Sequence, residues 1–261
     1  MAFRGRSLVG ETAYISGASA GIGAAIALRL AQCGASVVLG ARRKEKLDAV
    51  AETIRAEGKE GKVWTGTLDV NDGTSVDAWL AAGEKAVAPC SILVNNAGLA
   101  AGSGHAKDAD LDDWDRMLNT NVRAVFALTR KVLPGMLSRG CGDLVNIASV
   151  AGIDSYPGGS VYCATKAALQ KFAECVRKET VGQGIRVLTF DPGLVETEFS
   201  SVRFDGDAEK AKAPYAGVEP LTGDDVADCV AFAVTRERRI CIDRMLILAS
   251  QQANATLIVR H

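Results

Sequence analysis

The chain has 261 residues, enough for one large α/β domain or two small ones and for a sizeable buried core. Hydrophobic residues make up 48% and aromatics 5%, so the expected core is aliphatic, and the 27 glycines have neither collagen spacing nor linker clustering. With 30 basic and 31 acidic side chains the formal net charge is −1, which argues against an electrostatic nucleic-acid partner and gives no reason to invoke an anionic membrane surface.

Short β-branched runs alternate with helical patterns along the chain. Strands are predicted at 12–16, 36–40, 62–67, 92–95, 142–148, 185–190 and 245–248. Several are nearly all apolar, as parallel strands covered on both faces must be. Helices with 3.6-residue periodicity are predicted at 22–32, 45–57, 71–86, 112–138, 161–179 and 222–234. Continuous strand–helix alternation implies right-handed βαβ units: one Rossmann-type, doubly wound parallel sheet of about seven strands, with helices on both faces, spanning 1–261 as a single domain. Segment 198–223 is rich in charge, Gly and Pro, and reads either as a substrate lid or as a disordered surface loop.

The first predicted strand runs into Ser16, Gly17, Ala18, Ser19, Ala20, Gly21, Ile22 and Gly23, and a helix follows at once. Glycines at this spacing allow a tight turn and close backbone approach, with helix N–H groups left to face a pyrophosphate. Lone glycine patterns carry little weight, but the strand–turn–helix setting supports a dinucleotide site. The second strand ends in Gly40, Ala41, Arg42 and Arg43, at the tip that meets the adenosine ribose. No acid stands there to accept from a 2′-hydroxyl, and two guanidiniums suit a 2′-phosphate. NADP(H) is therefore expected over NAD(H); alternatively one of the arginines only opens the next helix. Asp69, before Val70, is placed to accept from an adenine amino group or to cap the following helix, for which Asn71 and Asp72 are equally suited.

Further on, Asn95 closes the fourth strand, Asn121 sits in the long helix after it, and Ser149 follows the fifth strand. Tyr162 and Lys166 are four apart, so they project from one helix face. A lysine ammonium beside a phenol favours the phenolate and lowers the tyrosine pKa from ~10 toward the working pH. A phenol so tuned gives or takes a proton at a reacting oxygen that Ser149 can hold. On its own a Tyr-x-x-x-Lys pair is common on helix surfaces; here every piece falls at the carboxyl end of a parallel strand or beside it, where such sheets bind ligands. There are only two histidines, His105 and His261, and the closest two of the seven cysteines are twelve residues apart, so no metal site is expected. The scattered cysteines read as reduced thiols filling core space in a cytoplasmic protein. The polar start carries no secretory pattern, and no stretch is apolar and long enough to span a bilayer.

These motifs together resemble the short-chain dehydrogenase/reductase family over nearly the whole length: Gly17-x-x-x-Gly21-x-Gly23, Asn95-Asn96-Ala97-Gly98, Asn121, Ser149, Tyr162-x-x-x-Lys166 and Pro192-Gly193. The resemblance implies Tyr162 as general acid/base. Lys166 would bind the nicotinamide ribose and lower the tyrosine pKa, and Ser149 would orient the substrate oxygen. Asn121 would hold a water in a proton relay. Asn95 and Gly98 would line the cofactor with Ser19, Ile22 and Val70, and Pro192, Gly193, Val195 and Thr197 would cover the nicotinamide. It also implies a homo-oligomer, a dimer or tetramer, built through helices 112–138 and 161–179, with the apolar 246–259 stretch as a further interface.

A narrower resemblance, carried by the stretches 156–162, 193–203 and 251–253, points to the branch of NADP-dependent 3-hydroxy acid dehydrogenases. That branch includes serine and allo-threonine dehydrogenases and reductases of small acidic aldehydes such as sulfoacetaldehyde. Ile153 and Asp154 depart from it, since many relatives carry an arginine there. Arg203 then becomes the expected partner of a substrate carboxylate or sulfonate, or else a solvated lid residue. The expected function is hydride transfer between NADP(H) and a small 3-hydroxy acid or acidic aldehyde. The alternatives are a reductase of neutral carbonyls with the same machinery and a non-catalytic NADP(H)-binding sensor.

Overall fold

The computed structural model describes residues 5–57, 61–204 and 206–261. Seven strands form one all-parallel sheet: β1 (Thr12–Ser16), β2 (Ser36–Ala41), β3 (Val63–Thr67), β4 (Ile92–Asn95), β5 (Gly142–Ile147), β6 (Ile185–Pro192) and β7 (Arg244–Ile247), in the order β3-β2-β1-β4-β5-β6-β7. The order reverses at β1 and β4, and the crevice beyond their carboxyl ends is where such sheets take ligands. The doubly wound architecture expected from the sequence is the one observed.

The pleat explains why both faces are covered. Ile15, Leu39, Val94, Val145 and Phe190 point to one side and pack with α1 (Gly21–Gln32), α2 (Lys44–Ala56) and α9 (Gly223–Val234). Their neighbours Tyr14, Val38, Leu93, Leu144 and Val187 point to the other side. They pack with α3 (Gly73–Ala86), α5 (Ala124–Arg139) and α6 (Ser160–Glu179). Helix α9 opens on a capping box in which Thr222 and Asp225 satisfy each other's backbone N–H groups. Asp72, one of the suggested caps, accepts from the Thr74 N–H at the start of α3.

Three expectations change. The helix expected at 112–138 is a continuous run in two parts, α4 (Leu111–Leu118) and α5, joined by a π-helical turn over Asn119–Arg123. A wide turn of this kind has no periodicity signal, because side chains on either side keep their helical spacing. Segment 198–223 is no structureless loop. It holds α7 (Phe199–Arg203), α8 (Ala208–Lys212) and a 3₁₀ turn (Ala213–Tyr215), although position 205 lies outside the described residues. Tyr215 pins it by donating from Oη to the Val195 carbonyl at 3.0 Å, and Ser200 Oγ lies 2.7 Å from the same hydroxyl. The cysteines are unpaired as expected, yet only Cys90 and Cys163 are buried, and Cys175 and Cys241 are exposed. No described helix is long and apolar enough to cross a membrane.

Candidate active site

The glycine loop between β1 and α1 is shaped by positions that admit no side chain. Gly17 (φ +69°) and Gly21 (φ +54°) occupy left-handed backbone, and a Cβ on Gly17 would stand 2.9 Å from Ala97 Cα. A Cβ on Gly23 would stand 2.4 Å from Asn96 Nδ2. The loop is held from behind by Asn96, whose Nδ2 donates to the Ser16 and Gly17 carbonyls at 3.0 and 3.2 Å. Ser16 Oγ in turn accepts from the Asn96 and Ala97 N–H groups. Asn96 and Ser16 were not singled out from sequence, although Asn96 lies inside the quoted Asn95-to-Gly98 motif. Asn95 itself turns into the sheet. Its Nδ2 donates to Thr129 Oγ1 and Asn146 Oδ1, and its buried Oδ1 has no partner among the described residues.

At the tip of β2, Arg42 is exposed and Arg43 reaches back to the glycine loop, donating from Nη2 to Ser19 Oγ at 3.3 Å. Asp69 Oδ1 accepts from the Asn71 N–H at 2.9 Å and does not cap α3. Val70 is half-buried nearby. From the other side, β6 delivers Pro192 and Gly193, and the chain continues past Val195 to Thr197, whose Cγ2 lies 3.1 Å from where a Gly21 Cβ would be. The glycine loop, the β2 tip and the 192–197 segment therefore surround one crevice. Its free backbone N–H groups, small-residue floor and two guanidiniums fit a phosphorylated dinucleotide.

The four catalytic expectations converge at the carboxyl ends of β4 and β5. Ser149 caps the short 3₁₀ turn Val150–Gly152, with Oγ accepting from the Ala151 N–H at 3.1 Å and donating to the Pro192 carbonyl at 3.4 Å. The π turn carries Asn121, which is 1% exposed. Its Nδ2 donates to the Leu99 carbonyl (2.7 Å) and Thr165 Oγ1 (3.2 Å), while its Oδ1 accepts from the Leu99 N–H (2.9 Å). One side chain thus clips the loop after β4 to α6. One lone pair of Oδ1 is left over, and a Cβ on Gly98 would lie 3.2 Å from Oδ1 and 3.6 Å from Lys166 Nζ. That places the amide oxygen and the ammonium together beside the Cα of Gly98.

Lys166 is buried, and its Nζ donates to the Ile147 carbonyl at 3.0 Å. Burial pulls its pKa down to about 8, against an opposing pull from the Asp191 carboxylate. Asp191 is fully buried at the end of β6, held by Gln170 Nε2 (2.8 Å) and Arg244 Nε (2.5 Å). Tyr162 behaves differently from the sequence expectation. Burial pushes its phenol above the ordinary tyrosine value, Tyr156 adds to that, and the Ser149 hydrogen bond and Arg203 charge oppose it. Lys166 Nζ lies 5.7 Å from the Tyr162 ring centroid, committed to a backbone carbonyl, so without a ligand the desolvation of the phenol prevails.

Beside Tyr162 lies a cavity of about 150 Å³, lined among others by Gly102, Asp113, Trp114, Met117 and Arg203. Pockets for drug-sized ligands measure about 300–1,000 Å³, so this space suits a small substrate. Arg203, on α7, stacks over Tyr156 with its guanidinium 5.5 Å from the ring centroid, and donates from Nη1 to Tyr156 Oη at 3.0 Å. Tyr156, quoted in a sequence motif but given no role, is the residue that positions this cation.

A sheet that binds a dinucleotide at its order reversal, with a Ser-Tyr-Lys set at the strand ends, defines a nicotinamide-dependent oxidoreductase architecture. The profile of the short chain dehydrogenase family matches residues 11–207, and the chain belongs to that family. It is 42% identical to the NADP-dependent 3-hydroxy acid dehydrogenase of Schizosaccharomyces pombe over 97% of this chain and 98% of that one. It is 37% identical to sulfoacetaldehyde reductase 2 of Chromohalobacter salexigens, covering 93% and 96%. Among solved structures, the closed form of serine dehydrogenase complexed with NADP⁺ superposes with a TM-score of 0.89 at 36% identity, covering 96% of this chain and 99% of that one.

Proposed function

We propose that this protein is an NADP(H)-dependent oxidoreductase of a small 3-hydroxy acid or a related acidic aldehyde, serine-like, 3-hydroxypropionate-like or sulfoacetaldehyde-like. The observation that carries the reading is a small cavity lined by both Tyr162 and Arg203, with Ser149 and Lys166 beside the Tyr162 ring. A substrate carboxylate or sulfonate pairs with Arg203 while its hydroxyl or carbonyl oxygen lies against Tyr162 and Ser149. The NADP-dependent relatives support the same cofactor.

Gly17, Ser19, Gly21, Ile22 and Gly23 hold the pyrophosphate, and Arg42 and Arg43 the 2′-phosphate. Asp69 and Val70 border the adenine. Asn95, through its backbone, and Gly98 line the middle of the crevice. Pro192, Gly193, Val195 and Thr197 cover the nicotinamide. When bound, the nicotinamide supplies or accepts the hydride. Tyr162 gives a proton to the substrate oxygen in reduction and takes it in oxidation. Ser149 donates a hydrogen bond to that oxygen. Lys166, beside the nicotinamide ribose, supplies the positive charge that favours the phenolate once the crevice is filled, and Asn121 Oδ1 holds a water next to Lys166 Nζ. The seven unpaired cysteines suit a reducing cytoplasm. Exposed Leu246, Leu257 and Val259, with the α4–α5 and α6 surfaces, suit a homodimer or homotetramer of single-domain subunits.

A second reading rests on one observation: Arg203 is already engaged by Tyr156 Oη and, at 3.4 Å, by the Gly102 carbonyl. If those contacts persist in the complex, neutral aldehydes or ketones are the substrates. Oxidation of serine, allo-threonine and 3-hydroxybutyrate, and reduction of sulfoacetaldehyde, followed at 340 nm beside neutral compounds of equal size, separates the two. Under the acidic reading Arg203→Ala lowers kcat/KM on the acidic compounds by about 10–100-fold, the size of a lost hydrogen bond to a charged group, and spares the neutral ones. Equal turnover of acidic and neutral compounds, unchanged in the variant, removes Arg203 from substrate recognition.

A further inference from the structure

Glu198 is the residue that immediately precedes α7, at the start of the lid segment. Its carboxylate reaches across the crevice to the ribose end. Oε2 lies 2.7 Å from Arg43 Nη1, and Oε1 accepts from Lys46 Nζ on the first turn of α2. The same Arg43 touches Ser19 of the glycine loop through its other Nη, so one guanidinium bridges the loop and the lid. Hydrogen bonds from Lys46 and Arg43, together with their charges, hold the Glu198 carboxyl below the usual carboxylate range. All three side chains are close to half exposed, at 46–49%, so a ligand entering from solvent can displace any of the contacts. Arg42, one residue away, has no partner among the described residues.

The chemistry of this cluster is that of an anion site already holding an anion. A carboxylate with two cations at its oxygens occupies the position a phosphate would use. We propose that Glu198 stands in for the 2′-phosphate of NADP(H): it competes with that phosphate for Arg43 and Lys46, making Glu198 a determinant of cofactor affinity and Lys46 a third 2′-phosphate cation. The proposal rests on the assignment of the 2′-phosphate to Arg43. When the phosphate arrives, two anions share Arg42, Arg43 and Lys46, and Glu198 gives up its place on Arg43. Because Glu198 leads directly into α7, which carries Arg203, the 2′-phosphate end and the substrate end of the crevice are joined by five residues of chain. A cofactor without the 2′-phosphate leaves Glu198 where it is.

Calorimetric titration of the whole protein with 2′,5′-ADP and with 5′-AMP tests this, since the two probes differ only by the 2′-phosphate. Glu198→Gln keeps the shape and removes the charge. It is expected to bind 2′,5′-ADP about 2- to 10-fold tighter at low salt, with the gain shrinking as salt screens the cluster, and to bind 5′-AMP unchanged. The gain is expected to vanish in an Arg43→Ala, Lys46→Ala background. Unchanged or weaker 2′,5′-ADP binding by Glu198→Gln, in a protein whose Arg43→Ala variant loses its preference for 2′,5′-ADP, overturns the competition and leaves the 2′-phosphate assignment standing. An Arg43→Ala variant that keeps that preference overturns the assignment itself, and the competition with it.

Discussion

Strand β5 begins at one buried charge and ends beside another, and the two are treated in opposite ways. At its start Asp143 is fully buried and meets Arg186 twice, at 2.8 Å (Nε) and 2.6 Å (Nη2), and Arg238 at 2.6 Å. Arg186 also donates to the Val234, Arg236 and Ile240 carbonyls. Charge and lone pairs are answered by planar, bidentate geometry, and the cluster ties β5, β6 and the chain after α9 together. At the other end, Lys166 has the Ile147 carbonyl and, among the described residues, no carboxylate within ion-pair distance, and burial lowers its pKa to about 8. A buried charge with matched partners is a rivet; a buried charge without them is held ready for a ligand. Along β5 the buried charge near the amino end is matched by guanidiniums, and the one beside the carboxyl end is not.

The sharpest way to break that contrast is Tyr162→Phe. Loss of the phenol to which we assign proton transfer is expected to lower kcat/KM by about 10²–10⁴-fold while unfolding stability changes by no more than about 1–2 kcal/mol. Steady-state rates and urea melts of the same sample check it. Asp143→Asn should do the reverse. It leaves Arg186 buried with a neutral partner, costing about 3–5 kcal/mol in urea unfolding, while the folded fraction keeps its kcat. Asn121→Ala lies between the two. It removes the partners of the Leu99 N–H and carbonyl, costs about 1–3 kcal/mol, and loosens the loop after β4, which hydrogen exchange at Leu99 would register.

A pH dependence is the most diagnostic. Lys166 has a folded pKa near 8, below its unfolded value of 10.5, so the unfolded chain binds more protons between those pH values. Its contribution to stability therefore rises as pH goes from about 8 to 10.5 and is flat below. Lys166→Met should flatten that part of the stability–pH curve relative to the parent protein. An identical slope in both proteins would mean that Lys166 is not desolvated.

Much of this was legible without coordinates. Apolar runs such as Ile92, Leu93 and Val94 have no polar face to leave in water, so they specify central parallel strands. The positive-φ demand at Gly17 and Gly21, and the four-residue spacing of Tyr162 and Lys166, are local properties, and local properties are written in order along the chain. What the sequence could not contain is the pairing between distant segments. Asn96 gripping the glycine loop, the π turn that seats Asn121 against Leu99, Tyr156 under Arg203, Asp191 near Lys166, and Glu198 on Arg43 and Lys46 all join residues from separate elements. The Tyr162 phenol shows the same division: helical spacing shows that Lys166 is near, but only the packed interior sets how far desolvation opposes that charge while the crevice is empty. Sequence alone determined the sheet, the glycine loop after its first strand and the one-face pairing of Tyr162 with Lys166, because backbone geometry and periodicity are set by near neighbours. Tertiary structure alone decided which of those groups are satisfied, which are strained by burial, and which face an open cavity, because that balance depends on atoms brought together only by folding.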